Sequence, residues 1–247
     1  CAFVDGWVRC WGDNSYGQLG IGTATVATTP VKVEGLSTGV TAVTAEGDHT
    51  CAIAAGAAYC WGVNVEGALG NGIGSKGLTP VAVQTPSGSV TSLGTGSAFT
   101  CAIINGEAYC WGENIFGQLG NDGYDSSSLP VPVLGLAAPV TAIAVGGVHS
   151  CAIAGGAVSC WGDNAFWQLG NGNRVEAFEA TLVEGLDSEV TEIAAGDQHS
   201  CAATAGTVRC WGRNDYGQLG DGGTTDRSVP SPVQGLPTGV TSLALGY

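Results

Sequence analysis

Residues 51–60 read CAIAAGAAYC, and the same ten-residue frame opens each of five successive 50-residue periods. The other copies read CAFVDGWVRC, CAIINGEAYC, CAIAGGAVSC and CAATAGTVRC, beginning at residues 1, 101, 151 and 201. Self-similarity at such a period is typical of one supersecondary unit used repeatedly, as in a solenoid or a propeller. Short β-branched runs separated by Gly, Asn, Ser and Pro indicate that the unit consists of strands. A period of this length accommodates about four strands, which is the content of one propeller blade.

The two cysteines of each frame are predicted to form a disulfide across a β-hairpin. A two-residue turn at Ala55-Gly56 places Cys51 opposite Cys60 on a non-hydrogen-bonded pair, where antiparallel strands approach most closely. That separation suits a disulfide. The equivalent turns are Asp5-Gly6, Asn105-Gly106, Gly155-Gly156 and Ala205-Gly206. The expected disulfides are Cys1–Cys10, Cys51–Cys60, Cys101–Cys110, Cys151–Cys160 and Cys201–Cys210.

Two alternatives for the cysteines are buried free thiols and zinc ligands. Cysteine is among the most buried residue types even when unpaired, but a facing pair in all five repeats disfavours free thiols. Zinc sites normally use four protein ligands, or three with a water, whereas each repeat supplies two cysteines. Disulfides on this scale predict an extracellular, cell-surface or periplasmic location.

The charge balance narrows the classes of partner. The chain has 21 acidic and 7 basic residues and a net charge of −14, which opposes binding to nucleic acid or to an anionic membrane surface. No apolar run long enough for a membrane span is present, so no membrane insertion is expected. The chain contains no Met and begins midway through a repeat, so we expect it to be a segment of a longer protein.

Residues 11–20, WGDNSYGQLG, and residues 46–52, EGDHTCA, resemble the repeats of the regulator of chromosome condensation family over the whole chain. The resemblance implies an all-β propeller with four antiparallel strands per blade. In this arrangement the Val40 strand lies innermost, followed by the Cys51 strand and the Cys60 strand, and Pro80 opens the outermost strand. We expect a single domain spanning residues 1–247, with repeats 1–50, 51–100, 101–150, 151–200 and 201–247.

The chain ends are predicted to share one blade. Residues 240–245 read VTSLAL, an inner strand without a following hairpin, and the chain begins with a hairpin that lacks an inner strand. Joining the two would close the ring and remove two open sheet edges. Members of the family more often have seven blades. A compact five-bladed ring is favoured over an array from which further repeats have been left out.

Most repeated polar and aromatic residues are interpreted as scaffold. Short amides after Trp-Gly typically fix turns, the glutamines are expected to bridge loops, and the tryptophans are expected to fill seams between blades. The residues concerned are His49, His149 and His199; Asn14, Asn64, Asn114, Asn164 and Asn214; Gln18, Gln118, Gln168 and Gln218; and Trp11, Trp61, Trp111, Trp161 and Trp211.

Partner recognition is expected where the repeat pattern is broken. The fourth repeat departs furthest, because Trp167 replaces a loop glycine and Ala180 replaces a proline. Arg174, Phe178 and Glu179 lie between them, although repair of local packing would also explain these changes. The other candidates are the aromatic residues at the sixteenth place of four repeats, which would serve a partner if exposed and the scaffold if buried: Tyr16, Phe116, Phe166 and Tyr216.

No catalytic motif is present, and neither a metal nor a cofactor is expected. The sequence therefore predicts a non-enzymatic extracellular or cell-surface module, of bacterial type, that binds or scaffolds a protein partner whose identity stays open. The alternatives are a structural subunit of a self-associating surface assembly and an inhibitor of a secreted enzyme. Guanine-nucleotide exchange on a nuclear GTPase, the family's best-known activity, is disfavoured by the acidic charge and the disulfides.

Overall fold

Antiparallel strands form almost all of the regular structure. The computed structural model describes residues 1–4, 6–36, 38–137, 139–204, 206–237 and 239–246. Within these ranges the elements are nineteen strands and one 3-10 turn at Val65–Gly67. No helix in the described ranges has the length and apolar character needed to cross a membrane.

The strands form five sheets in which neighbours along the chain are neighbours in space. Sheet 1 contains β1 (Ala2–Val4), β2 (Trp7–Gly12) and β3 (Ala27–Lys32). Sheet 2 contains β4 (Val40–Glu46), β5 (His49–Ala54), β6 (Ala57–Gly62) and β7 (Gly77–Ala82). Sheet 3 contains β8 (Val90–Thr95), β9 (Phe99–Ile104), β10 (Glu107–Gly112) and β11 (Ser127–Pro132). Sheet 4 contains β12 (Val140–Val145), β13 (His149–Ala154), β14 (Ala157–Gly162) and β15 (Ala177–Leu182). Sheet 5 contains β16 (Val190–Ala195), β17 (His199–Thr204), β18 (Val208–Gly212) and β19 (Arg227–Pro232).

The hairpin register places the cysteines opposite each other. In sheet 2, Cys51 faces Cys60 across β5 and β6, and the connecting residues Ala55 and Gly56 have φ values of 50° and 78°. Two consecutive left-handed residues are typical of the tight turn whose twist matches that of the strands. The turns at Asp5-Gly6 and Ala205-Gly206 each include a residue that lies outside the described ones. All five expected disulfides are present, with Cα–Cα distances of 4.0–4.1 Å.

The outer strands differ from the prediction in where they begin. Strand β7 starts at Gly77, three positions before Pro80, which lies inside it. Cys60 pairs with Val81 and Gly62 pairs with Gly77, so two steps along β6 correspond to four along β7 and the extra residues form a bulge. Because Pro80 lies in this bulge on an edge strand, its missing N–H removes no ladder hydrogen bond.

The chain divides into two compact units. The first comprises Cys1–Asn114 with Asp125–Pro132, and the second comprises Ile115–Tyr124 with Val133–Tyr247. In the first unit, Trp61 of sheet 2 packs with Val8 and Leu19 from the repeat before it. In the second unit, Trp211 of sheet 5 packs with Ile153 and Leu169 in the same way. The apolar core of each unit therefore lies between consecutive sheets, and the single domain spanning all five repeats stays a prediction.

The two chain ends do not carry the sheet pairing expected for a closed ring. Sheet 1 has three strands, and no strand occurs between residues 239 and 246. Val240, Leu243 and Leu245 instead pack against a cluster of sheet 5 that includes Cys201 and Leu219. This segment covers the apolar face of sheet 5, and closure of the ring stays a prediction.

Replacing Cys101 and Cys110 together by alanine should lower the free energy of unfolding by about 2–3 kcal/mol, because the unfolded chain then recovers the entropy of a small closed loop. Urea unfolding with and without the double substitution measures the cost. Before reduction, the wild-type protein should not react with a thiol-alkylating reagent. Alkylation of the unreduced protein would contradict the five disulfides.

Candidate functional site

A buried asparagine organises the loop of each repeat. In the fourth repeat, the Asn164 side chain donates to the carbonyls of Asn173 and Val175 at 2.9 and 3.0 Å and accepts from the Leu169 N–H at 3.1 Å. Asn14, Asn64 and Asn214 make the corresponding bonds in their own repeats. The repeated asparagines are structural as predicted, and they fasten the variable segment at places 21–29 to the repeated turn.

The glutamine that follows this turn acts locally through its side chain. The Gln168 side chain accepts from the Phe166 N–H at 2.8 Å and donates to Asp163 at 2.8 Å. These bonds lie within one turn. The prediction that this side chain bridges two loops is therefore wrong. The link to the next repeat comes from the Gln168 carbonyl, which accepts from the Trp211 indole at 2.8 Å and from the Ser200 hydroxyl at 3.0 Å.

Four tryptophans are buried where a repeat meets the turn of the repeat before it. Each is fully buried, and its indole donates to a main-chain carbonyl 43 positions earlier: Trp61 to Gln18, Trp111 to Ala68, Trp161 to Gln118 and Trp211 to Gln168. The bonds measure 2.8–3.0 Å. Trp11 differs from the prediction because 47% of its surface is exposed.

The histidines are buried packing residues. His149 Nε2 lies 2.8 Å from the Ser200 hydroxyl, and His49 Nε2 lies 2.9 Å from the Thr100 hydroxyl. Burial lowers the pKa of His49 to about 4, and burial together with the neighbouring His199 lowers the pKa of His149 to about 3. Phe99 faces Gly112 in the register in which His49 faces Gly62. Because phenylalanine occupies this place in one repeat, the fold does not require an imidazole side chain there.

Trp167 occupies a backbone conformation that the other repeats reserve for glycine. Its φ is 60°, and the equivalent residues Gly17, Gly67, Gly117 and Gly217 have φ between 73° and 89°. A Cβ atom on Gly117 would lie 2.5 Å from the Phe178 ring, so glycine there leaves room for the outer strand of the next repeat. The left-handed conformation costs a residue with a side chain about 1–2 kcal/mol. Residues held in strained conformations concentrate at functional sites.

Two arginines rest on aromatic rings beside this turn. The Arg174 guanidinium carbon lies 4.2 Å from the centre of the Trp167 ring, and its Nε donates to the Ala165 carbonyl at 2.8 Å. The Arg213 guanidinium carbon lies 5.0 Å from the Phe166 ring and 5.8 Å from the Tyr216 ring. We name Phe166, Trp167, Arg174, Arg213 and Tyr216 the aromatic–arginine cluster.

Sequence reasoning missed Arg213. Its side chain is fixed by Asp215 at 2.7 Å and by Gln198 at 2.6 Å, and it borders an open depression of about 360 Å³ together with Tyr216 and His199. The available signal was that the thirteenth place of the repeat is basic in the fifth copy alone. The cluster combines Arg213 of the fifth repeat with Phe166, at the sixteenth place of the fourth repeat. The pattern within a single repeat does not indicate a contact between them.

The remaining candidates lie elsewhere. Phe178 packs edge-to-face on Tyr124 with ring centres 4.5 Å apart. Phe178 and Glu179 border a second open depression of about 360 Å³, which shares no lining residue with the one beside Arg213. Phe116 is partly buried in the second unit, whereas Tyr16 belongs to the first unit and is 47% exposed. The second unit thus brings together Phe166, Trp167, Arg174 and Tyr216, but not all eight candidates.

The antiparallel sheets, four of them four-stranded, recur with a period of 50 residues and define a β-propeller repeat protein. The family model described as RCC1-like domain matches residues 1–247, and the chain belongs to this family.

Solved structures of the same fold share about a quarter of the sequence. Human WBSCR16 is 25% identical with a TM-score of 0.86, covering 98% of this chain and 66% of its own. Prp20p from Saccharomyces cerevisiae is 25% identical with a TM-score of 0.84, covering 99% of this chain and 63% of its own. The chain therefore spans less than two thirds of either relative. The ectodomain of the Physcomitrella patens receptor kinase CR4, at 21% identity and a TM-score of 0.53, covers 97% of this chain and 54% of its own and shares the fold alone. No curated protein matches the chain significantly.

Gly117→Ala should destabilise the protein by about 2–3 kcal/mol, because the new methyl group meets the Phe178 ring and alanine is strained at positive φ. Gly217→Ala is the matched control, since its φ is 75° but its Cβ would meet only the Gly223 carbonyl oxygen, at 3.7 Å. It should cost about 1 kcal/mol. Denaturant unfolding compares the two, and equal losses would show that the contact with Phe178 contributes nothing.

His149 should make the folded state sensitive to mild acid. Its folded pKa of about 3 lies below the value of about 6.5 in the unfolded chain, so the unfolded state binds the extra proton between these values. Stability is retained above pH 6.5 and falls as the pH is lowered through this window. Between pH 7 and pH 5 the free energy of unfolding should therefore fall by about 2 kcal/mol less in His149→Phe than in the wild-type protein. Urea unfolding at pH 7, 6 and 5 measures it, and parallel pH profiles would contradict the assignment.

Proposed function

We propose that this chain is a non-enzymatic, extracellular or cell-surface module that binds a protein partner through the aromatic–arginine cluster. The observation that carries this proposal is Trp167, a partly exposed aromatic residue held in a conformation that the repeat assigns to glycine. A residue that only filled the turn would not need a large ring there. Tryptophan, tyrosine and arginine are the residue types that most often dominate the energy of protein interfaces.

Two further observations support the proposal. Five disulfides in one chain suit an oxidising environment outside the cytosol. Among the solved relatives, yeast RCC1 (Prp20) is seen bound to Kap60, and Prp20p is described with binding properties to Gsp1p and histones. A relative that shares this fold therefore binds other proteins. The location and the partner of this chain are part of the proposal.

The environment of the histidines favours binding over catalysis. A general base needs a pKa near the working pH and access to substrate. His49 and His149 are buried and bonded to hydroxyl groups, with pKa values of about 4 and 3. They are therefore neutral and enclosed at neutral pH.

A self-associating surface assembly is a second candidate, and one observation favours it. In the first unit, the face of sheet 1 carries Trp11 and Val4 with 47% and 46% of their surfaces exposed. Light scattering after size exclusion separates the candidates. A large particle supports the assembly, whereas a monomer that forms a tight one-to-one complex with a secreted enzyme supports an inhibitor.

Trp167→Gly should abolish partner capture while leaving the protein at least as stable. Glycine restores the residue type of the other repeats and relieves a strain of about 1 kcal/mol. The measurement is mass spectrometry of proteins cross-linked to the purified domain in the medium or cell envelope of its source organism, with urea unfolding in parallel.

Ala55→Gly is the matched control, because Ala55 is also left-handed, with φ 50°, and lies in a hairpin of the first unit. It should raise stability similarly and capture the wild-type set of proteins. If Trp167→Gly captures the same set as wild type, binding through this cluster is wrong.

A further inference from the structure

Arg174 is a fixed cation without a counter-ion. The ion pairs among the described residues join Arg213 to Asp215 and Arg227 to Asp221, and Arg174 belongs to neither. Its guanidinium is nevertheless immobilised, because it stacks on Trp167 and donates through Nε and Nη2 to the Ala165 carbonyl. The side chain is thus held in place by a ring and a main-chain oxygen that leave its charge unpaired.

The Arg174 guanidinium keeps donors available for a ligand. A guanidinium has five N–H groups, and the Nη1 group of Arg174 makes no hydrogen bond in the described part of the chain. The guanidinium carbon lies over the Trp167 ring, and Arg174 is an exposed residue, so a ligand can approach this side chain from solvent. Stacked arginines of this kind suit carboxylates, because the donors are already oriented.

We propose that Arg174, oriented by Trp167, binds one carboxylate of the protein partner, supplied by an aspartate or glutamate side chain. This inference rests on the proposed function and adds the chemistry that the cluster recognises. Val175 follows Arg174 and is 67% exposed, so an apolar residue beside the partner's acid finds a contact next to the charge. The second arginine of the cluster does not compete for the ligand, because Asp215 already pairs with Arg213.

The charge of the whole chain limits the ligand to a single carboxylate. With 21 acidic and 7 basic residues, the protein repels polyanions at long range. Near the cluster, Asp163 and Asp215 add negative charge, and each is bonded to a neighbouring side chain. An acidic tract would meet these carboxylates as well as Arg174. A lone acid flanked by apolar residues meets one unpaired cation and, next to it, the exposed side chain of Val175.

Two isosteric peptides test the proposal directly. The probes are acetyl-Phe-Glu-Phe-amide and acetyl-Phe-Gln-Phe-amide, which differ in one charge. They are titrated into the ¹⁵N-labelled intact chain while the Arg174 Nε–H and Trp167 indole N–H signals are followed by NMR. The glutamate peptide should shift both signals and bind about tenfold more tightly or better, because hydrogen bonds between charged groups exceed those to a neutral amide.

Arg174→Gln should remove the preference for the glutamate peptide, whereas Arg9→Gln, which changes an exposed arginine of the first unit, should retain it. Equal binding of the two peptides to wild type, a preference that survives Arg174→Gln, or no binding of either peptide at millimolar concentration would overturn the proposal. In the cross-linking experiment, capture that is lost in Trp167→Gly but kept in Arg174→Gln would leave protein binding standing and reject the carboxylate. Capture that survives Trp167→Gly would reject the proposed function itself.

Discussion

The rest of the structure depends on one hydrogen bond, from a buried indole N–H to a main-chain carbonyl of the preceding repeat. An indole donor buried without a partner would cost about 1–3 kcal/mol, so the carbonyl must be aimed into the seam. The asparagine turn does this, because Asn164 holds the N–H of Leu169 and thereby fixes the turn that presents the Gln168 carbonyl to Trp211. The Ser200 hydroxyl uses the second lone pair of the same oxygen. Sheet spacing, turn shape and core packing are therefore set together.

This constraint explains how the turn of the fourth repeat accepts Trp167 without a change of backbone shape. The turn must keep its shape for the sake of the seam, so a large residue can enter only by adopting the turn's left-handed conformation. Trp167 does so, and the bonds of Gln168 and Asn164 are unchanged around it. The scaffold thus fixes the backbone, and the side chains that leave the turn are free to vary. Phe166 and Trp167 leave it next to two arginines, which gives this part of an acidic chain an unusual local chemistry.

The hairpin register, the five disulfides and the order of strands within each sheet could be predicted, because a two-residue turn and the alternation of strand side chains leave no freedom in counting from Gly56 to Cys51 and Cys60. The start of β7 could not, because the bulge at Pro80 depends on pairing with β6 and leaves no local pattern. The exposure of Trp11 could not be predicted either, because it also depends on contacts outside the local sequence. Its neighbours in sequence match those of Trp61, and only the surrounding repeats distinguish them. The cluster around Arg213 likewise draws on two repeats.

The indole bond also gives the array a direction. In each of the four junctions the donor indole lies 43 positions after its acceptor carbonyl, so a repeat in the middle of the chain gives its indole to the repeat before it and its carbonyl to the repeat after it. A duplicated or deleted 50-residue unit therefore creates or removes one complete donor–acceptor junction without disturbing the others. Because the indole of each added repeat finds a main-chain carbonyl in the repeat before it, the chain can gain a whole 50-residue unit without substitution of other side chains.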